Sequence, residues 1–302
     1  EPLDTAALRA DGAAAAAAFE NVRVEGATTE LDGWWLDAVW DLIGHLSEML
    51  QADAIALMPT TGAQVPATLT VLGGHPVHVD AGATVEPFVV ADASAGPILI
   101  RRGAHVHAFT RLVGPCIIGE EVVVLGGRIA ACSIGERVKV HGELNSTIFI
   151  GHANKGHDGF VGHSVIGRWA NLGAGTITSN LKNSYGKVAL RTPSGTRDTG
   201  LQFLGSLLGD HVKTGIGTRL TTGCVVGAGA NIFGSTMPPK AVAPFAWGES
   251  PTWETFALER FLVVAERVMA RREVALSAAM RAQLSTAHAM SQAATYAARW
   301  RA

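Results

Sequence analysis

The run N-K-G-H-D-G-F-V-G-H-S-V-I-G-R-W-A-N-L-G-A-G-T-I-T-S-N, from Asn154 to Asn180, gathers reactive and hydrogen-bonding side chains at short spacing. His157 stands at its head with Lys155 and Asp158 beside it, and Asn171 and Asn180 bracket the turn Gly173-Ala174-Gly175. An imidazole, with an ordinary pKa near 6.5, can take a proton from a reacting group at neutral pH. The two amides can donate and accept hydrogen bonds. His152 and His157 also stand at H-x4-H spacing.

The elements that position this run are repeats. From about Val77 to Gly234 apolar residues recur every sixth position: Ile100, Val106, Leu112, Ile118 and Val124 form one series, and Leu208, Thr214, Leu220, Val226 and Ile232 form another in which only the threonine departs. An apolar-Gly pair followed by a small or β-branched residue repeats with it, at Ile118-Gly119 with Val122, Ile134-Gly135 with Val138, Ile166-Gly167 with Ala170, Leu208-Gly209 with Val212 and Val226-Gly227 with Ala230. Each unit reads as a short strand and a turn. Such a unit cannot bury its apolar side chain alone, so the units must stack into a β-helix, with glycine admitting a positive φ or a close backbone approach. The period slips between Ile134 and Ile166, around the histidine-rich run, and a polar stretch between Asn180 and Leu204 reads as a loop. Interruptions of a solenoid are where function tends to sit.

The pattern changes on either side. Trp34, Trp35, Trp40, Leu42, Ile43, Leu46, Met49 and Leu50 lie near helical spacing, as do Phe256, Phe261, Leu262, Val264, Ala265, Val268 and Met269. A second Ala-rich helix is expected from about Leu276 to Trp300, after a break near Arg272-Glu273. The expected organisation is a helical or irregular segment over 1–75, a β-helix over 76–246 and a helical extension over 247–302, with helices capping an open end of the solenoid.

Composition excludes several classes. The 302 residues carry 24 Lys+Arg against 26 Asp+Glu, a net charge of -2, so no basic excess points to nucleic acid or an anionic membrane surface. With 48% apolar residues the chain can bury a full core, and its 35 glycines suit many tight turns. Cys116, Cys132 and Cys224 form no paired spacing, which fits a reducing, cytoplasmic setting. The Ala-rich start lacks the basic and apolar regions of a signal peptide, and no apolar run is long enough for a membrane span.

Strict six-residue spacing resembles the left-handed parallel β-helix of the hexapeptide-repeat acyltransferases. The Asn154–Asn180 run is more specific. It resembles the acetyltransferase half of the bifunctional N-acetylglucosamine-1-phosphate uridylyltransferase/glucosamine-1-phosphate acetyltransferase, in a variant bacterial branch with N-K-G-H-D-G, over roughly Ile98 to Phe245. The resemblance implies a cytoplasmic homotrimer that acetylates an amino sugar phosphate from acetyl-CoA, without a metal, on the route to cell-envelope polymers. It also implies a catalytic role for His157, Asn171 and Asn180, a substrate contact from Lys187, and a cofactor-binding turn at Gly173, Ala174 and Gly175; Arg128, Lys155 and Asp158 are further substrate-binding candidates by charge and neighbourhood. His157 would take the amine's proton, and a backbone N–H of that turn or an amide would steady the developing oxyanion. The sequence departs from the pattern at Phe160, where the better-known enzymes carry tyrosine, and at Asn145, where they carry lysine; Arg128, or Arg101 and Arg102, could replace that cation. No Gly-rich nucleotidyltransferase turn precedes the repeats, the similar Gly215-Ile216-Gly217-Thr218-Arg219 lies inside them, and uridylyl transfer is not expected of this chain. The H-x4-H pair of His152 and His157 resembles instead that of the γ-class carbonic anhydrases, zinc enzymes on the same scaffold, which implies a zinc site with His105 or His107 as third ligand, and a third reading is a non-catalytic trimeric scaffold.

Overall fold

The computed structural model describes residue 30 and residues 33–59, 65–192 and 195–301. The chain divides into a unit Glu1–Trp35 and a unit Leu36–Ala302. In the first, the described residues, among them Trp34 and Trp35, belong to no helix or strand, so the helical spacing does not extend to those two tryptophans. The Ala-rich start lies outside the described residues.

The second unit is a left-handed parallel β-helix. Its strands stack in parallel columns, one running from Val77–Val79 through Ile98–Ile100, Cys116–Ile118 and onward to Ala241–Val242. The first strand of the solenoid, Thr70–Leu72, already pairs in parallel with Val90–Asp92, a few residues ahead of the expected start. The six-residue series points inward as its period requires: Ile100, Val106, Leu112, Ile118 and Val124 are each fully buried in one continuous core. Each such side chain contributes about 1.5–3 kcal/mol by leaving water. Thr214, the departure in the second series, is buried too, and its hydroxyl pairs with Thr176 Oγ1 at 2.7 Å and accepts from the Gly173 N–H at 3.1 Å. A polar residue is admitted there because both of its neighbours use it.

The glycines of the apolar-Gly pairs are needed for close approach rather than for positive φ. A Cβ on Gly119 would stand 2.6 Å from the Ile134 carbonyl oxygen, and one on Gly135 2.3 Å from that of Ile150. Two residues further on the chain does turn left-handed, at Glu121, Arg137, Trp169, His211 and Gly229, and the equivalent positions of the neighbouring coils are His152 and Phe245. The phase slip is absorbed in register: Ile118, Ile134, Phe149 and Ile166 still stack directly, on coils slightly shorter than three hexapeptides. The polar stretch after Asn180 forms an antiparallel hairpin, Ala189–Thr192 against Gly195–Asp198, before the solenoid resumes at Ser206–Leu208.

Helices Leu46–Leu57 and Leu258–Ala270 pack along the sides of the prism, whereas helices Ala278–Gln292 and Ala294–Arg301 line a cavity with the last coil, Pro239 to Ala246. Helix Leu46–Leu57, preceded by the short helix Asp41–Gly44, buries Ile43, Leu46 and Leu50 with Val165, Val188, Leu190 and Leu204, because outward residues of that face, such as Ile148 and Val225, are themselves apolar. Helix Leu258–Ala270 sets Phe261, Leu262 and Ala265 against Phe245 and Phe256. The chain breaks after it, then forms helix Ala278–Gln292, whose N-cap Ser277 accepts from the Met280 N–H at 3.2 Å, and a separate helix Ala294–Arg301. The last parallel strand, Ala246–Gly248, is covered by the antiparallel strand Glu254–Thr255, which satisfies the edge that a helix was expected to cap. Among the described residues no helix is long and apolar enough to cross a membrane.

Candidate functional site

Strand Lys139–Asn145 bends around one edge of the prism, its register shifting between Val140 and Gly142. Gly142 and Gly159 follow that edge with φ of +92 and +131, and a Cβ on Gly159 would lie 2.3 Å from the Thr176 carbonyl oxygen. Only glycine fits. The turn His157-Asp158-Gly159 is carried there. Directly beneath it, Lys155 occupies an inward position in register with Val140, fully buried. Its ammonium donates to the carbonyls of His157 and, at 3.4 Å, His141, and burial pushes its pKa down to about 8. A lysine expected among the substrate ligands is therefore enclosed, and it pins the backbone from which His157 projects.

The His157 imidazole is exposed and makes no hydrogen bond or ion pair with any described residue. Asp158 is 90% exposed, pairs with His141 Nδ1 at 3.2 Å, and accepts the Gly175 N–H on its carbonyl at 3.1 Å. The Gly173–Gly175 turn thus sits on the next coil, against the His157 turn. Two of its three backbone donors are already committed, Gly173 to Thr214 and Gly175 to Asp158, which leaves the Ala174 N–H free among the described residues.

Asn171 and Asn180 lie on different faces. Asn180 Nδ2 is 2.8 Å from His163 Nδ1, beside Phe160, and His163 in turn stacks on Phe203 with ring centroids 5.3 Å apart. Burial lowers the His163 pKa. His163 was not singled out by the sequence, although its distance of 17 residues from Asn180 equals that between Asn154 and Asn171, which also meet. Asn171 accepts from Asn154 Nδ2 at 3.0 Å and is in register with Lys213. Next to Asn180 a groove of about 720 Å³ is lined by Phe160, Thr178, Leu181, Lys182, Arg219 and Lys240, with no carboxylate in its lining.

The remaining candidates divide. Arg128 is exposed on the Phe160 face, stacked through Glu143 onto Phe160 in register. Lys187 is exposed in the loop, where its carbonyl accepts from Lys182 Nζ at 2.6 Å. Arg101 and Arg102 are tied to acids, Arg101 to Asp80 at 3.0 Å and Arg102 to Glu120 at 3.2 Å. The H-x4-H pair does not converge within one chain: His152 stacks on Trp169 at 4.2 Å, while His157 projects from a different edge. Among the described residues, the three metal-ligand side chains that do meet are Glu86, His105 and His107, a set containing neither. Glu86 Oε1 is 2.9 Å from His105 Nε2 and 3.0 Å from His107 Nδ1, and the Ala108 N–H, with these histidines, holds its carboxyl below the usual range.

With this geometry in place, comparison with known proteins becomes informative. No family model matches the chain. The chain is similar to bifunctional sugar-phosphate enzymes. It is 32% identical over 91 residues to the bifunctional sugar-1-phosphate nucleotidylyltransferase/acetyltransferase of Sulfurisphaera tokodaii, covering 30% of this chain and 23% of that one. It is 33% identical over 100 residues to the bifunctional protein GlmU of Methanococcus vannielii, covering 33% and 24%, and 28% identical over 195 residues to that of a Jannaschia species, covering 61% and 41%. The chain spans less than half the length of these relatives. Among solved structures, an Arabidopsis UDP-N-acetylglucosamine acyltransferase aligns with a TM-score of 0.40 at 12% identity, over 70% of this chain and 80% of that one.

Proposed function

We propose that the chain transfers an acetyl group from acetyl-CoA to the amino group of a sugar phosphate, glucosamine 1-phosphate being the first acceptor, with His157 as general base. The observation that carries this reading is the unpartnered, exposed imidazole held on a rigid glycine edge by Lys155 from below. The similarity to proteins named as sugar-1-phosphate acetyltransferases supports the same class.

In the reaction the acceptor nitrogen forms a bond to the thioester carbonyl carbon and the carbon–sulfur bond breaks. The proton leaving the amine passes to His157, which can return it to the departing thiolate. The Ala174 N–H is the donor of the neighbouring turn left to meet the developing oxyanion. Asn180, held by His163, and the cations Lys182, Arg219 and Lys240 in the adjoining groove suit an acceptor bearing hydroxyls and a phosphate. Lys187 and Arg128, both exposed, are further cations for the phosphate, and Asp158 pairs with His141. No metal takes part.

The working unit is a homotrimer in the cytoplasm, with the cleft closed by the neighbouring prism. Phe88 and Phe109 support a covered surface: they are 71% and 79% exposed, and their rings stack 5.7 Å apart. The test is an acetyl-CoA assay against a panel of amino sugar phosphates, run on the purified chain and on His157→Ala, with oligomeric state measured in parallel. Acetylation abolished by the substitution supports the proposal. A folded trimer that acetylates nothing would favour a scaffold, and near-stoichiometric zinc bound through His157 would favour the carbonic anhydrase reading.

A further inference from the structure

A second cavity, of about 340 Å³, lies where helix Leu258–Ala270 and the residues after it meet the face carrying Asn171. Four cations line it: Lys139 and Lys213 from the strands, and Arg271 and Arg272 from the end of the helix. His152, Asn154 and Asn171 complete its polar wall, and among the described residues no carboxylate belongs to the lining. Several arginines elsewhere are matched by acids, Arg111 with Asp92, Arg137 with Glu121 and Arg168 with Glu136. Here the charges rest on backbone carbonyls. Lys213 Nζ donates to the His211 carbonyl at 3.2 Å, and Arg272 Nη1 to the Arg137 carbonyl at 3.1 Å.

Gathering like charges without a counter-charge in a half-buried space is unfavourable, and it becomes favourable when an anion occupies the centre. Burial already lowers the Lys213 pKa to about 8, and burial together with Arg271 lowers that of Arg272. The arrangement is built, not a solvated fringe: Lys213 is fixed in register between Asn171 and Asn231, and Arg272 is clamped to Arg137, which donates back to its carbonyl at 3.4 Å. The volume suits a small polar group, and guanidinium and ammonium donors are those that recognise phosphate oxygens.

We propose that this cavity is a phosphate-binding site, taking a phosphate monoester or a diphosphate. Asn171, which lines it, then serves that site rather than the groove beside Asn180. The cation pocket stands independently of the acetyl-transfer reading; only the assignment of its phosphate to acyl donor or acceptor rests on that reading.

The test uses the full chain and isothermal titration with inorganic pyrophosphate. Saturable binding is expected at one site per chain, weakened about tenfold or more by Lys213→Gln and by the double variant Lys139→Gln/Arg271→Gln, and recovered by Lys213→Arg. Arg267→Gln is the control, because Arg267 lines a different groove, with Trp247 and Phe256. It should bind as the parent does. Absence of pyrophosphate binding, or an equal loss in Arg267→Gln, would overturn the proposal. The second arm compares coenzyme A with dephospho-coenzyme A, and glucosamine 1-phosphate with glucosamine. A phosphate preference lost in Lys213→Gln assigns the source, and loss in neither pair overturns its role in the transfer reaction. Pyrophosphate titration of His157→Ala separates the two proposals, since the site should persist where acetyl transfer is gone.

Discussion

Two edges of the same prism solve one backbone problem in opposite ways. At the edge of Glu121, Arg137, His152, Trp169, His211 and Phe245, most left-handed turns are made by residues with side chains, glycine taking the same position at Gly82, Gly103 and Gly229. A residue with a side chain costs roughly 1–2 kcal/mol there, and ring contacts offset it in the later coils: His152 over Trp169 at 4.2 Å, Trp169 on His211 at 6.3 Å, and Phe245 edge-on to Phe261 of the helix at 4.9 Å. At the edge of Gly142 and Gly159 the positive φ falls to glycine, because the backbone of the next coil comes too close for a Cβ. The first edge is closed by packing. The second has no packing to spare, and it leaves the room in which His157 stands exposed. Side-chain packing and open surface are thus separated onto different corners of a repeating structure.

This contrast can be broken at its most consequential point by His157→Ala. Turnover should fall by about 10²–10⁴-fold while the melting temperature stays unchanged, as a steady-state assay and a thermal melt on one preparation would register. On the closed edge, Trp169→Ala removes a ring that is 5% exposed and should cost about 3–5 kcal/mol, read from urea unfolding, without a comparable direct effect on proton transfer. Gly159→Ala should cost about 1–3 kcal/mol and, unlike Trp169→Ala, depress turnover beyond what lost stability explains, because the Thr176 carbonyl must move away from the His157 turn.

A smaller effect concerns pH. Lys213 has a folded pKa of about 8 against 10.5 when unperturbed, so between those values the unfolded chain binds more protons than the folded one. Its contribution to stability therefore rises with pH across that window. Melting curves from pH 7.5 to 10.5 should show a shallower rise in Lys213→Met than in the parent. Lys155, also lowered to about 8, adds a slope of the same sign that the comparison leaves in place. Equal slopes in the two proteins would show that Lys213 is not desolvated.

Much of the scaffold was legible because hexapeptide periodicity is a local property: which residue of a short strand points inward depends on the strand and its turn alone. The buried series from Ile100 to Val124 follows directly from it. The helical flanks were legible from spacing, but their docking was not, since covering a side or an end depends on how apolar the outer face of a distant strand is. Within the site, His157 stood out as a histidine in a glycine-rich interruption. Lys155 did not read as an interior residue, because a lysine in a core position is intelligible only once the carbonyls that receive its ammonium are in place.

The amino-acid sequence by itself determined a stacked solenoid, its break around residues 134–166, and the place of His157 within that break. Only the tertiary structure decided that Asn171 and Asn180 lie on different faces, and that, among the described residues, Ala174 keeps a free N–H between two committed neighbours and cations from three distant parts of the chain, Lys139, Lys213 and Arg271-Arg272, line one cavity without an acid. The physical reason is register. Inward and outward are set residue by residue, whereas neighbours across coils depend on the length of every intervening turn, and a helix returning from the end of the chain brings charges that no local pattern can place.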